Sequence, residues 1–116
     1  MERLLPDCPG TPNCVSSLAE DPARRVEPFP VRGGPVRSME RLKNIIGSMP
    51  RSTIVSFSEQ RMEVEFRSLL GFVDDIILVL STDQDVIHIR SAARSGTWDL
   101  GVNRRRVERI RKEYGE

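Results

Sequence analysis

The spacing of apolar residues changes period along the chain. Val36, Met39, Leu42, Ile45, Ile46 and Met49 recur every three or four positions, while Arg37, Glu40, Arg41 and Lys43 fall elsewhere on a helical wheel. This predicts an amphipathic helix. It begins at Gly34-Pro35, since proline is tolerated at the first helical position, ends near Gly47 or Ser48, and cannot continue through Pro50. From Arg51 the period becomes two. Thr53, Val55 and Phe57 alternate with Ile54 and Ser56; after a turn near Ser58 to Gln60, Met62, Val64 and Phe66 alternate with Arg61, Glu63, Glu65 and Arg67. A third run, Asp75 to Leu80, is apolar on both faces and reads as a central strand. Thr82 to Asp85 turn the chain into a fourth strand, Val86 to Arg90. The last element is a helix, with Asn103 as its expected cap, Val102 and Val107 as a staple across the first turn, and Val107, Ile110 and Tyr114 within about 60° of one another.

Short connections make this an α+β domain: a four-stranded antiparallel meander, in the order α-β-β-β-β-α, with both helices on one face. Residues 35–116 form that single domain. Residues 1–34 contain Pro6, Pro9, Pro12, Pro22, Pro28 and Pro30, and proline neither donates to a ladder nor lets its predecessor turn helical. They read as an irregular proline-rich arm carrying both cysteines, pinned to the core at its end by Phe29 and Val31.

At 116 residues, with 38% hydrophobic residues, the chain has material for one core. It has no apolar run long enough for a transmembrane helix. No signal-peptide pattern opens it, which points to the cytoplasm as the sequence stands and to the periplasm or a lumen if a leader is removed. The net charge of +1 argues against nucleic acid until its distribution is seen: residues 59–85 carry −5 and residues 86–116 carry +4. Arg90, Arg94, Arg104, Arg105, Arg106, Arg109, Arg111 and Lys112 face only Asp99 and Glu108 within residues 86–112. That is a basic patch requiring an explanation.

The sharpest feature is Arg104-Arg105-Arg106 in the first helical turn, where free N–H groups and the macrodipole are already positive. An anion is expected there. One source is internal, with Asp74, Asp75 and Arg104 as a structural latch; the other is a ligand phosphate or carboxylate at the helix N-terminus. Arg90, Ser91, Arg94 and Ser95, in the connection after the fourth strand, together with Asp99, Asn103, Arg104 and Arg105, form the candidate anion-binding set, because guanidinium and hydroxyl groups donate hydrogen bonds. The alternative is a hydrogen-bonded loop that packs Trp98 on the sheet. Cys8 and Cys14 form a disulfide in an oxidising compartment or remain two thiols in a reducing one. With His88 as the sole histidine, no metal site and no cofactor are expected. His88 reads as a satisfied sheet residue, with a formal nucleophilic alternative through Ser16, Ser17, Cys8 or Cys14. Asp74 and Asp75 are neighbours in a strand, point to opposite faces and do not form an acid/base pair.

The segments CPGTPNCVSS, GFVDD and RSAARSGTWDLGVNRRRVERIR resemble the bacterial and plastid family catalogued as domain of unknown function 1499. The resemblance spans almost the whole chain. It carries over Cys8, Pro12, Asn13, Cys14, Asp74, Asp75, Arg90, Ser91, Arg94, Gly96, Asp99, Gly101, Asn103 and Arg104 as motif residues without assigned roles. Ala93 stands where the family commonly has Ser, Trp98 near a frequent Tyr, and Ile77-Leu78 where an acidic-aromatic pair is common. The resemblance implies a small soluble or membrane-tethered domain, often exported or lumenal, with no assigned reaction.

The leading expectation is therefore a non-enzymatic module that holds an anionic small molecule or an acidic protein surface on its basic loop and helix N-terminus. The alternative is a hydrolase on an anionic substrate, with His88 or Asp99 converging on the Ser91 to Ser95 loop. Nucleic-acid binding through Arg105, Arg109 and Lys112 is a third reading, disfavoured because only Trp98 and Tyr114 offer aromatic support.

Overall fold

Ile76, Leu78, Ile87 and Ile89 occupy the middle of an antiparallel sheet, fully shielded from solvent. The computed structural model describes residues 4–96 and 99–115. In chain order the elements are β1 (Cys14–Ser16), β2 (Phe29–Pro30), α1 (Pro35–Gly47), β3 (Ser52–Phe57), β4 (Arg61–Arg67), β5 (Val73–Ser81), β6 (Val86–Ala93) and α2 (Val102–Tyr114). The strand order is β1-β6-β5-β4-β3, and β2 also pairs with β6. Met39, Leu42 and Ile46 of α1 join Val107, Ile110 and Tyr114 of α2 and the inward residues of β4, β5 and β6 in one core.

The α+β class, the two helices and the antiparallel meander are as expected, but the sheet has six strands rather than four. The two additional strands come from the arm. Cys14 to Ser16 pair with Ala92 to Arg90, and Phe29-Pro30 with Ile87-Val86, so two short pieces share the outer edge of β6. Strands of three and two residues have no alternation to read, and Pro30 is tolerated because it lies at an edge. Val15, Val26 and Phe29 enter the core from this segment.

Two boundaries also shift. Strand β6 continues through Ser91, Ala92 and Ala93, so the connection to α2 begins only at Arg94. Asn103 does not cap α2. Gly101, in the left-handed region, precedes a helix starting at Val102, and Asn103 is fully buried inside the first turn. Val102 is exposed and is the first residue of the helix, not the residue before its cap where a staple would need it. The expected packing of Trp98 lies outside the described residues.

Candidate functional site

The proline-rich arm leaves backbone carbonyls without ladder partners, and one side of α2 supplies donors for them. Arg104 donates to the carbonyl oxygens of Ala23 and Arg25, at 2.7 and 3.1 Å. Arg111 donates to those of Glu27 and Pro28 and lies 4.8 Å from the Phe29 ring centre. The Tyr114 hydroxyl donates to Pro30 O at 2.6 Å. On a 3.6-residue wheel these three side chains lie within about 80° of one another, so a single helix edge follows the arm from Ala23 to Pro30.

The opposite flank of the same helix reaches the sheet. Arg106 Nη2 donates to Asp74 Oδ2 at 2.7 Å, its Nη1 donates to Asn103 Oδ1 at 2.8 Å, and its guanidinium stands 4.5 Å from the Phe66 ring centre. Both charged groups are largely buried, at 12% and 17% side-chain exposure. Asp74 therefore meets Arg106, not Arg104. The wheel carries part of the signal: Arg106 lies about 40° from Ile110 on one side of the apolar stripe, and Arg104 about 60° from Val107 on the other.

Asp75, on the other face of β5, receives two hydrogen bonds from Arg94, at 2.6 and 3.0 Å. A third runs from Arg94 to Glu65 at 2.9 Å. These two carboxylates raise the Arg94 pKa above its ordinary value. Ser91 is fully buried and donates to Asn103 Oδ1 at 2.6 Å. Asp99 supplies the cap of α2, accepting from the N–H groups of Gly101 and Asn103 and from the Asn103 amide. Burial alone would raise the Asp99 pKa, but these hydrogen bonds outweigh it and hold the carboxyl below its ordinary value.

Arg90 points to the sheet face away from the helices. Desolvation lowers its pKa, partly offset by Asp75 and Asp7, and one nitrogen donates to Asp7 O at 3.3 Å. Ser95 and Arg105 are exposed. Of the sequence-derived anion-binding set, Ser91, Arg94, Asp99, Asn103 and Arg104 are thus engaged inside the protein. Cys8 and Cys14 are joined by a disulfide. It closes a loop whose Asn13 side chain donates to Gly96 O and whose Asn13 carbonyl accepts from Ala93 N, tying the arm to the end of β6.

His88 is buried, and its ring nitrogens meet neither Ser91 nor Ser95. Its Nε2 lies 2.6 Å from Gln84 Oε1 and its Nδ1 2.9 Å from Ser17 Oγ. With Gln84 accepting, Nε2 carries the proton and Ser17 donates to Nδ1. The Ser17 oxygen in turn accepts from Ile89 N–H, repairing the ladder where β1 ends. Desolvation holds the His88 pKa below its ordinary value. This geometry satisfies a buried imidazole; the convergence of His88 with Ser91 or Ser95 that the hydrolase reading needed is not formed. Among the described residues no His, Cys, Asp and Glu cluster could hold a metal ion, and no helix is long and apolar enough to cross a membrane.

A different constellation emerges where β4 turns into β5, with no chemical motif in the sequence to announce it. Beyond the last ladder pair, Arg67 and Val73, the chain turns through Ser68 to Phe72. Leu69, Leu70 and Phe72 are 87%, 85% and 64% exposed. The turn is ordered by bonds from Ser68 N to Phe72 O, Gly71 N to Ser68 O, and Phe72 N to Ser68 Oγ. Gly71 takes a φ of 87°, which the tight three-residue loop requires. Exposed Arg67 flanks it, and the Arg67 N–H donates to the carbonyl of exposed Arg51. The β6–α2 connection leaves from the same end of the sheet, where the Arg94 N–H donates to Val73 O; further along it Leu100 is 63% exposed at a φ of 57°, and Val102 and Arg105 are exposed in the first turn of α2.

No curated protein is significantly similar to the chain. The family described as "Protein of unknown function (DUF1499)" has a model that matches residues 4–114, and the protein belongs to that family.

Proposed function

We propose that this protein is a non-enzymatic docking module for an anionic partner surface, presented at the end of the sheet where β4 turns into β5 and α2 begins. The observation that carries this reading is the division of the arginines. Arg94, Arg104, Arg106 and Arg111 are bonded to carboxylates and arm carbonyls. Arg51, Arg67 and Arg105 are exposed at one end, and the neighbouring acids are occupied: Asp74 by Arg106, Asp75 and Glu65 by Arg94, Asp99 by the α2 cap. Among the described residues, the ion pair of Arg67 is a 3.8 Å contact with the shared Glu65.

Cations whose nearest counter-charges are engaged elsewhere project a positive field from that end. A broad acidic surface suits this arrangement better than a small ligand in the β6–α2 connection, because Ser91 and Asn103 have no solvent exposure and Asp99 takes up the first N–H groups of the helix. The disulfide favours an oxidising compartment as the place where the module works.

The test is binding to an immobilised polyanion, such as polyglutamate, at low and high salt. Wild type should bind weakly and release as salt rises; a variant carrying Arg51→Glu, Arg67→Glu and Arg105→Glu should lose binding with its melting temperature unchanged. Retained binding in that variant, or wild-type binding insensitive to salt, refutes the reading.

A further inference from the structure

The most unusual solvent-facing feature is the turn linking β4 to β5. Turn positions normally carry Gly, Asn, Asp, Ser or Pro, whose side chains favour water or special backbone angles. Here Leu69 and Leu70 occupy them, with Phe72 immediately after, and all three are among the most exposed large hydrophobic residues described. They are held there by a hydrogen-bonded turn, with both Ser68 and Gly71 contributing.

From this we infer that the Leu69–Phe72 turn is a wedge that enters the interfacial region of an anionic lipid bilayer, with Arg51 and Arg67 meeting the lipid headgroups. The inference rests on the docking reading above and names its partner. Three observations select a bilayer. The turn is a convex tip beyond the last ladder pair, a shape that a fluid surface accepts without a matching pocket. Its three apolar side chains form a patch much smaller than the about 800 Å² per partner of a standard protein interface, whereas shallow insertion of a few apolar groups combined with headgroup attraction suffices for reversible membrane association. The charge order is also right: Leu69 to Phe72 contain no ionisable group, and the cations sit directly behind them at Arg67 and, through the Arg67 N–H to Arg51 O bond, at Arg51. Leu100 and Val102 are further exposed apolar residues, lying where the β6–α2 connection meets the helix and shortly before Arg105 in the chain. Headgroup attraction contributes per basic residue near the surface and is screened by salt.

The experiment is sedimentation of the full chain with vesicles of phosphatidylcholine alone or with phosphatidylglycerol. The comparison set is wild type, Leu70→Ser/Phe72→Ser, and Arg51→Glu/Arg67→Glu. Because all the altered side chains are exposed, each variant should melt with wild type. Wild type should bind the anionic vesicles at least about tenfold more tightly than the neutral ones, and either double variant should lose about tenfold or more. A second measurement places the tip directly. Leu70→Cys labelled with an environment-sensitive fluorophore should brighten on anionic vesicles, while Glu59→Cys, at the opposite end of β4, should not. Anionic binding that survives Leu70→Ser/Phe72→Ser overturns the wedge and leaves the docking reading standing. Binding to the polyanion without binding to vesicles overturns the lipid partner alone and points to an acidic protein. Loss of both overturns both.

Discussion

Replacing Asp74 with Asn tests whether the basic helix is built to serve the fold. The substitution keeps the shape and removes the charge that Arg106 contacts at 2.7 Å, in a pair whose side chains are 12% and 17% exposed. Breaking a buried pair typically costs about 3–5 kcal/mol, because the remaining charge stays desolvated. Arg106 retains its bond to Asn103 and its position beside Phe66, which places the expected loss near the lower figure, about 3 kcal/mol. For a domain of this size, that corresponds to a fall in melting temperature of about 12 °C. Urea unfolding of wild type, Asp74→Asn, Arg106→Met and the double variant should show coupling of at least about 1.5 kcal/mol, since the pair is lost once and not twice. A loss below about 1 kcal/mol, or additive single effects, would refute the assignment of Arg106 to a load within the fold.

Three further outcomes follow from the same geometry. Reducing the Cys8–Cys14 bridge, which spans a sequence separation of 6, should lower stability by about 2 kcal/mol on the chain-entropy model, read as a shift in the urea midpoint with and without reductant. His88 has a folded pKa below its ordinary value of 6.5, so the unfolded chain binds the proton more readily: its contribution is complete above about pH 6.5 and is lost as pH falls through the folded value. Melting temperature should therefore decline below that pH, and His88→Gln should flatten the slope. Asp99→Ala removes the acceptor of the Gly101 and Asn103 N–H groups and should cost about 1 kcal/mol by thermal unfolding, with the helix still starting at Val102.

What the sequence made legible follows from the range of the forces involved. Local periodicity is enough for α1, for β4 with its buried Met62, Val64 and Phe66, and for the core stripe of α2, because each pattern is written in neighbouring residues. Strands β1 and β2 exist only through β6, some 60 to 80 residues away, and a three-residue strand among prolines has no pattern of its own. Asn103 illustrates a different difficulty. Its type favours a cap, yet it shares the α2 stripe with Val107 and Ile110, and burial against Ser91 prevails over capping propensity. Opposite faces for Asp74 and Asp75 were readable from strand geometry, and the structure sends them to Arg106 and Arg94. The exposed Leu69-Leu70-Gly71-Phe72 turn was not readable as a surface, since apolar residues between two strands look the same in sequence whether covered or bare.

The acidic 59–85 segment and the basic segment after it meet in the fold through these pairs, and backbone carbonyls of the arm take up Arg104 and Arg111. In the docking reading proposed above, the cations left for a partner are those at the end of the sheet that carries Arg51 and Arg67. The most direct measurement of that claim is an amide-resolved NMR titration of the wild-type protein with nanodiscs containing anionic lipid. The account expects shifts and line broadening at Arg51, Arg67 to Phe72 and Leu100 to Arg105, with the rest of the sheet unchanged. Perturbation centred instead on Arg109 and Lys112 of the outer α2 face, with the β4–β5 turn silent, would contradict it.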